Sequence, residues 1–168
     1  MPNIYLNRSK LSFTDEHKYL GIIICNDMYD DADMLQQTSA LYSRGNILIS
    51  KFSKCDGHVK VRLFKTYCTS FYGANLWTHY RKKAFNKIKF AYYSVFKRLF
   101  NVQDFNIIQT KLVELGIDDF KVILRKVAGS LYKNLYSSSN GIISAIVNSL
   151  YFCDSTFYKD WMANLFLL

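Results

Sequence analysis

The amino-acid sequence predicts a mainly α-helical protein, an antiparallel helical bundle preceded by a short antiparallel β element. Three observations lead to this fold class. Half of the 168 residues are apolar, which is enough to form a buried core. From Asp30 onward the apolar residues recur at helical spacing. Proline occurs only at position 2, so no later residue forces a helix to break.

The β element is predicted within residues 4–24. Short apolar stretches at 4–6 and 11–13 flank a polar, turn-like stretch at 7–10. Three consecutive isoleucines at 22–24 favour a strand, because β-branched side chains pack well on a pleated surface. We expect two or three short antiparallel strands, which need a covering element to be stable.

Four helices have clear apolar stripes, and shorter apolar helices follow them. We predict three regions: a short β element at 1–28, a basic helical bundle at 29–100 and a helical extension at 101–168. The predicted helices cover about 30–55, 57–77, 83–100, 118–135, 142–150 and 160–168, with residues 101–117 ambiguous.

Three carboxylates, Asp30, Asp31 and Asp33, lie where the first helix begins. Paired aspartates beside an aromatic residue also occur in polymerase metal sites. In those sites the aromatic residue stands two positions before the pair, in a hairpin, whereas here Tyr29 directly precedes it and a helix follows. We therefore interpret these aspartates as capping carboxylates.

The positive charge is concentrated in residues 44–98. This stretch contains 13 of the 22 Lys/Arg and one acid, Asp56, a net +12, whereas the other residues carry −3, giving the net +9 of the chain. Either a densely negative partner or a solvated basic face explains this pattern. Most aromatic residues lie at core spacing, as Phe64, Tyr67, Phe71 and Phe96 do. For Tyr80 and Tyr93, which fall off the stripes, packing and base stacking are both open.

Motifs for enzymatic chemistry are missing from the sequence. The three histidines and four cysteines are dispersed without zinc-ligand spacing, and the glycine-rich phosphate-binding motifs do not occur. We expect reduced thiols, no signal peptide and no membrane span, and hence an intracellular protein of the nucleus or cytoplasm.

Several segments, taken in order, resemble LINE-type (non-LTR) retrotransposon reverse transcriptases over roughly residues 11–145. These segments are KYLGII at 18–23, DDADM at 30–34, LYSRGN at 41–46, KFSKC at 51–55, VKVRLFKTYC at 59–68, YG at 72–73, LW at 76–77, AYY at 91–93, RLF at 98–100 and SSN at 138–140.

The resemblance implies the primer grip and thumb of a reverse transcriptase, without the catalytic palm aspartates. Tyr19, Leu20 and Gly21 match the primer grip, and the helices that follow match the thumb, which holds the template–primer duplex. Such a chain would be inactive alone and would need no cofactor, whereas the full-length polymerase would use Mg²⁺. Its partners would be an RNA/DNA template–primer duplex and the fingers and palm of the parent polymerase. Membranes are not expected as partners.

The expected phosphate contacts are six basic residues of the matched thumb: Arg44, Lys51, Lys54, Lys60, Arg62 and Lys65. Two other hypotheses stay open. One is a helical interaction or scaffold domain that binds an acidic protein. The other is a decayed, non-functional reading frame, for which Leu11, Phe13, Ile22 or Ile24 would be exposed.

Overall fold

The computed structural model describes residues 4–167, apart from the side chains at 164, 166 and 167. Within these residues the chain is mainly helical, with two short strand pairs before the helices, which confirms the predicted fold class. The helices are α1 (Asp31–Phe52), α2 (Gly57–Tyr67), α3 (Lys82–Phe100), α4 (Ile108–Glu114), α5 (Phe120–Tyr136), α6 (Gly141–Val147), α7 (Leu150–Asp154) and α8 (Thr156–Leu167).

The β element consists of two separate antiparallel hairpins. Strands β1 (Tyr5–Leu6) and β2 (Ser9–Lys10) form the first, and β3 (Glu16–Tyr19) and β4 (Ile22–Cys25) form the second. Both hairpins turn through two residues that have positive φ, which is the turn geometry that matches the twist of paired strands. The prediction of short antiparallel strands is confirmed, but there are four strands rather than two or three, and β2 lies within the stretch at 7–10 that was predicted to be a turn.

The three aspartates at the start of α1 hold other segments of the chain rather than capping the helix. Asp30 occupies the N-cap position of α1 without a side-chain capping bond. Its Oδ2 instead accepts the backbone N–H groups of Thr78 at 2.9 Å and His79 at 2.8 Å. Burial raises the pKa of Asp30, although these two bonds favour its charged form. The predicted N-cap position of Asp30 is therefore confirmed, whereas the prediction that its side chain caps the helix was wrong.

Asp31 and Asp33 make the same kind of long-range contact. Asp31 accepts the backbone N–H of Arg81 at 2.8 Å and its guanidinium at 3.0 Å. Asp33 is fully buried, accepting the indole N–H of Trp77 at 2.8 Å and the backbone N–H of Ile23 at 3.2 Å. The three carboxylates thus fasten residues 77–81 and strand β4 to the start of α1.

Helices α1, α2 and α3 form the bundle. Contacts between α1 and α3 follow the same order along both helices, from Asp31 with Arg81 to Gly45 with Val95 and Asn46 with Arg98, so these two helices run in the same direction. The order is reversed between α2 and α3, because Phe64 packs on Phe96 and the later Phe71 on Tyr92. A Cβ at Gly45 would lie 2.5 Å from Val95 Cγ1, so the glycine that weakens the helical pattern allows the close approach of α1 and α3.

The core of the bundle is aromatic. Phe64 and Phe71 pack edge-on or tilted against Tyr92, Phe96 and Phe120, with ring centroids 5.4–6.3 Å apart. This confirms the core prediction for Phe64, Phe71 and Phe96.

Three tyrosines differ in how they match the sequence-based expectation. Tyr67 is about half exposed, so its assignment to the core was wrong. Tyr93, for which stacking was open, is buried and donates its hydroxyl hydrogen bond to Asp119 Oδ1 at 2.6 Å. Tyr80 is half-buried and stacks on Phe85, with the ring centroids 5.3 Å apart.

Several predicted helix boundaries need correction. Helix α2 ends at Tyr67 rather than near Trp77, and the rest of the predicted helix contains Gly73, with a φ of +80°, and a 3₁₀ turn at Ala74–Leu76. Asp119, not Asp118, is the N-cap of α5. The ambiguous stretch contains α4, and the two predicted C-terminal helices are three, α6 to α8.

Candidate nucleic-acid interface

Arg44 differs from the other five predicted phosphate contacts because its guanidinium faces the protein. Its Nε donates to the carbonyl of Ala40 and its Nη1 to the carbonyl of Ser70, both at 3.2 Å. The Nη2 atom is buried and has no hydrogen-bond partner within the described residues. Arg44 therefore joins α1 to the segment after α2, and most of its hydrogen-bonding capacity is directed inward.

The other five predicted contacts lie on more than one face of the bundle. Lys51 and Lys54 are exposed at the end of α1 and in the turn after it. On α2, Lys60 is half-buried and Arg62 is exposed. These two are separated by about 160° around the axis, because successive helical residues are about 100° apart. Lys65 is exposed, with its ammonium next to Gly116. The structure therefore does not collect the predicted residues into one patch.

The residues that match the primer grip form the tip of the second hairpin. The side chains of Tyr19 and Leu20 are largely exposed. The backbone carbonyls of Leu20 and Gly21 are already occupied, because Tyr72 Oη donates to the first at 2.9 Å and Gln36 Nε2 to the second at 3.0 Å. This leaves the Tyr19 and Leu20 side chains, rather than the turn's backbone, as the free surface of the tip.

Helix α3 presents a further basic surface, none of whose residues is among the six predicted phosphate contacts. Lys83, Lys87 and Lys97 fall on its outward side, and Phe90 lies on the same side between them. Phe90 is 59 % exposed, whereas most aromatic residues of α3 are buried or half-buried in the core. The spacing of these residues in the sequence could have predicted this surface. Lys83, Phe90 and Lys97 recur every seven residues, which is about two helical turns.

Two grooves flank Phe90, and Asn86 and Phe90 line both. The first, of about 760 Å³, lies between α1 and α3 and is lined further by Thr38, Tyr42 and three lysines. These lysines are Lys82, Lys83 and Lys87. The second, of about 430 Å³, lies between α3 and α4.

The second groove is lined by aromatic and amide side chains together with Lys89. Its aromatic residues are Phe90, Tyr93 and Phe105, and its amides come from Asn86, Asn106 and Gln109. The ammonium of Lys89 lies 6.0 Å from the ring centroid of Tyr93. Burial and the hydrogen bond to Asp119 raise the pKa of Tyr93, so its phenol stays protonated and fixed in the wall of this groove.

The basic residues of the bundle are almost all without acidic partners. Arg81 pairs with Asp27 at 3.4 Å and with Asp31 at 3.0 Å. Within residues 4–167, the other 12 basic side chains of the 44–98 stretch form no ion pair with a carboxylate. Their charge is not neutralised locally, so the bundle carries a positive field that attracts polyanions.

Comparisons with known proteins add no family. No protein-family model matches the chain, and no significant match was found among curated proteins or solved structures. In the described part of the chain, no helix is long and apolar enough to cross a membrane. The same residues contain no group of three or more His, Cys, Asp or Glu side chains that could hold a metal ion.

Proposed function

We propose that this chain binds the phosphate backbone of an RNA/DNA template–primer duplex, as the primer grip and thumb of a reverse transcriptase do. The observation that carries the proposal is the set of 12 basic side chains on the bundle without carboxylate partners. Lys and Arg contacts to phosphates hold a duplex in position without reading its sequence. The binding should therefore tolerate changes in sequence.

Exposed apolar residues of the hairpins support a second part of the proposal, that the chain packs against the fingers and palm of a polymerase. Leu11, Phe13 and Ile24 are 43–57 % exposed, and Ile22 is half-buried. Exposed apolar patches mark protein interaction sites. Alone, the chain should bind duplex without extending a primer, and Mg²⁺-dependent nucleotide incorporation by the isolated chain would contradict this.

A salt titration tests the duplex proposal. Fluorescence anisotropy would measure affinity for a blunt RNA/DNA duplex between about 50 and 200 mM salt, where phosphate contacts release counterions and affinity falls steeply. The triple variant Lys54→Gln, Arg62→Gln, Lys65→Gln should reduce the log–log slope by up to about 0.9 for each phosphate that is no longer neutralised.

The matched control removes three charges that already have acidic partners. Lys111, Lys126 and Lys159 pair with Glu114, Asp118 and Asp154. Their change to Gln lowers the net charge equally and should leave the slope near its original value. An affinity that does not depend on salt, or equal slopes for the two triple variants, would contradict phosphate binding at the predicted residues.

An acidic protein partner is the competing function. The basic residues of the bundle would also attract an acidic protein. The groove between α3 and α4, however, is lined by amide and aromatic side chains, which can hydrogen-bond to and stack on bases and which binding to an acidic protein does not require. A decayed reading frame predicts no cooperative unfolding, so a cooperative thermal transition would contradict it.

A further inference from the structure

Phe90 occupies a position that packing within the chain does not explain. It lies near the middle of α3 with 59 % of its surface exposed, whereas Ile88, Ala91 and Tyr92 beside it are fully buried. Its ring stands on the ridge between the α1–α3 groove and the α3–α4 groove.

The surroundings of Phe90 combine two kinds of polar group. Lys83 and Lys87 are exposed along one side of it, and Lys89 lines the groove on the other side. Asn86 lies one helical turn before it and lines both grooves. Ammonium groups bind phosphates, and side-chain amides donate to and accept from the edges of bases.

We propose that Phe90 is the stacking platform for an unpaired nucleotide, with the flanking lysines holding the phosphates of a single strand. The proposal rests on the proposed function, because it assumes that the ligand of the bundle is a nucleic acid. In a duplex each base already stacks on its neighbours, so an exposed side-chain ring finds a free base face only on a single-stranded or terminal nucleotide. This surface would receive the single-stranded segment that adjoins the bound duplex.

The test uses the full chain and two RNA/DNA duplexes, one blunt and one with a short single-stranded overhang that contains 2-aminopurine. Stacking of this base on Phe90 quenches its fluorescence. The overhang should also tighten binding by about 5- to 150-fold over the blunt duplex, the range expected for one base stacked on an aromatic side chain. RNA and DNA overhangs are compared, and the one with the larger gain identifies the strand that the platform accepts.

Three variants separate stacking from other contributions. Phe90→Ala should abolish the quenching and the gain from the overhang. Phe90→Tyr should retain both effects because the ring remains, and Phe90→Leu should lose them although it keeps an apolar side chain. Tyr151→Ala removes another exposed aromatic residue, 91 % exposed on α7, and should change neither.

The outcomes distinguish the two proposals. If the wild-type chain bound none of the nucleic-acid probes, the proposed function and this inference would be overturned together. Binding of the blunt duplex with no gain from the overhang, or an equal gain in wild type and Phe90→Ala, would overturn this inference alone. Displacement of the overhang by polyglutamate at equal charge concentration, without a role for Phe90, would indicate an acidic protein partner and would also overturn it.

Discussion

The two N-terminal hairpins have the same architecture but differ in how they are hydrogen-bonded to the rest of the molecule. Each is an antiparallel strand pair that turns through two residues with positive φ. The second is hydrogen-bonded to Asp33 and Gln36 of α1 and to Tyr72 in the loop after α2. The described hydrogen bonds of the first lie within it, as between Leu11 N and the Ile4 carbonyl at 2.8 Å.

The anchored hairpin differs from the other in its polar contacts and in its strands. Strand β4 is the apolar stretch Ile22–Cys25, whereas β2 is Ser9–Lys10. Leu6 and Phe13 are 62 % and 57 % exposed, so apolar side chains alone do not anchor the first hairpin and the segment after it. The second hairpin is only partly buried, but three helix-borne or loop-borne groups bond its backbone. Substitutions in the two hairpins and their partners can test whether these bonds make the difference.

The largest effect is expected for Asp33→Ala. This removes a fully buried carboxylate together with its hydrogen bonds from the Trp77 indole N–H and the Ile23 backbone N–H. Hydrogen bonds to a buried charged group contribute strongly to stability, so the free energy of unfolding should fall by about 2–5 kcal/mol, as measured by urea denaturation. The amide of Ile23 should also lose protection from hydrogen exchange.

The control for Asp33 is Asp154→Ala, because the side chain of Asp154 is 83 % exposed and its ion pair with Lys159 is long, at 3.9 Å. The expected change is below about 0.5 kcal/mol. If the two variants were equally stable, the carboxylate of Asp33 would not be what holds the second hairpin.

A smaller effect is expected for Tyr72→Phe. The change removes one hydroxyl and its bond to the Leu20 carbonyl while preserving the ring, which corresponds to about 0.5–1.5 kcal/mol. Because the bond is near the surface, the loss should appear as faster amide exchange at the hairpin tip. Tyr5→Phe in the first hairpin is the matched control, since Tyr5 is similarly exposed at 61 %, and exchange at its own tip should not change.

The turns of the two hairpins can be tested by opposite substitutions at corresponding positions. Leu20 adopts a φ of +47°, which costs a residue with a branched side chain about 1 kcal/mol, whereas Asn7 has a φ of +49° and tolerates it. Leu20→Asn should therefore stabilise the second hairpin by about 0.5–1 kcal/mol, and Asn7→Leu should destabilise the first by a similar amount. Backbone chemical shifts of the strands measure both populations, and changes of the same sign would refute this reasoning.

Local patterns made much of the helical fold predictable, whereas long-range partners were not. The Asp56 N-cap and the stripe through Phe64 locate α2 because both depend on neighbours within a turn. The role of Asp33 depends on Trp77, 44 residues away, and no local rule distinguishes such a carboxylate from a cap.

The positive charge of the candidate interface could be predicted from the sequence, but the direction in which each basic side chain points could not. The concentration of Lys and Arg in 44–98 is a property of the sequence, but the inward direction of Arg44 follows from the carbonyl of Ser70, which tertiary packing supplies. The exposure of Phe90 could have been predicted from the sequence, because Phe90 falls opposite Ile88 on the helical wheel of α3. An aromatic residue on the polar side of a basic helix is the pattern that would have revealed it.

The smallest effect on stability is expected for the segment between the two hairpins. Phe13→Ser replaces a side chain that is 57 % exposed, so the free energy of unfolding from urea denaturation should change by no more than about 0.5 kcal/mol. The same change removes part of the exposed apolar surface, and binding of a hydrophobic dye to the folded chain should decrease. A loss of stability as large as that of Asp33→Ala would mean that the first hairpin is anchored through the segment after it, at Phe13. The contrast between the hairpins would then be one of side-chain packing rather than of hydrogen bonding.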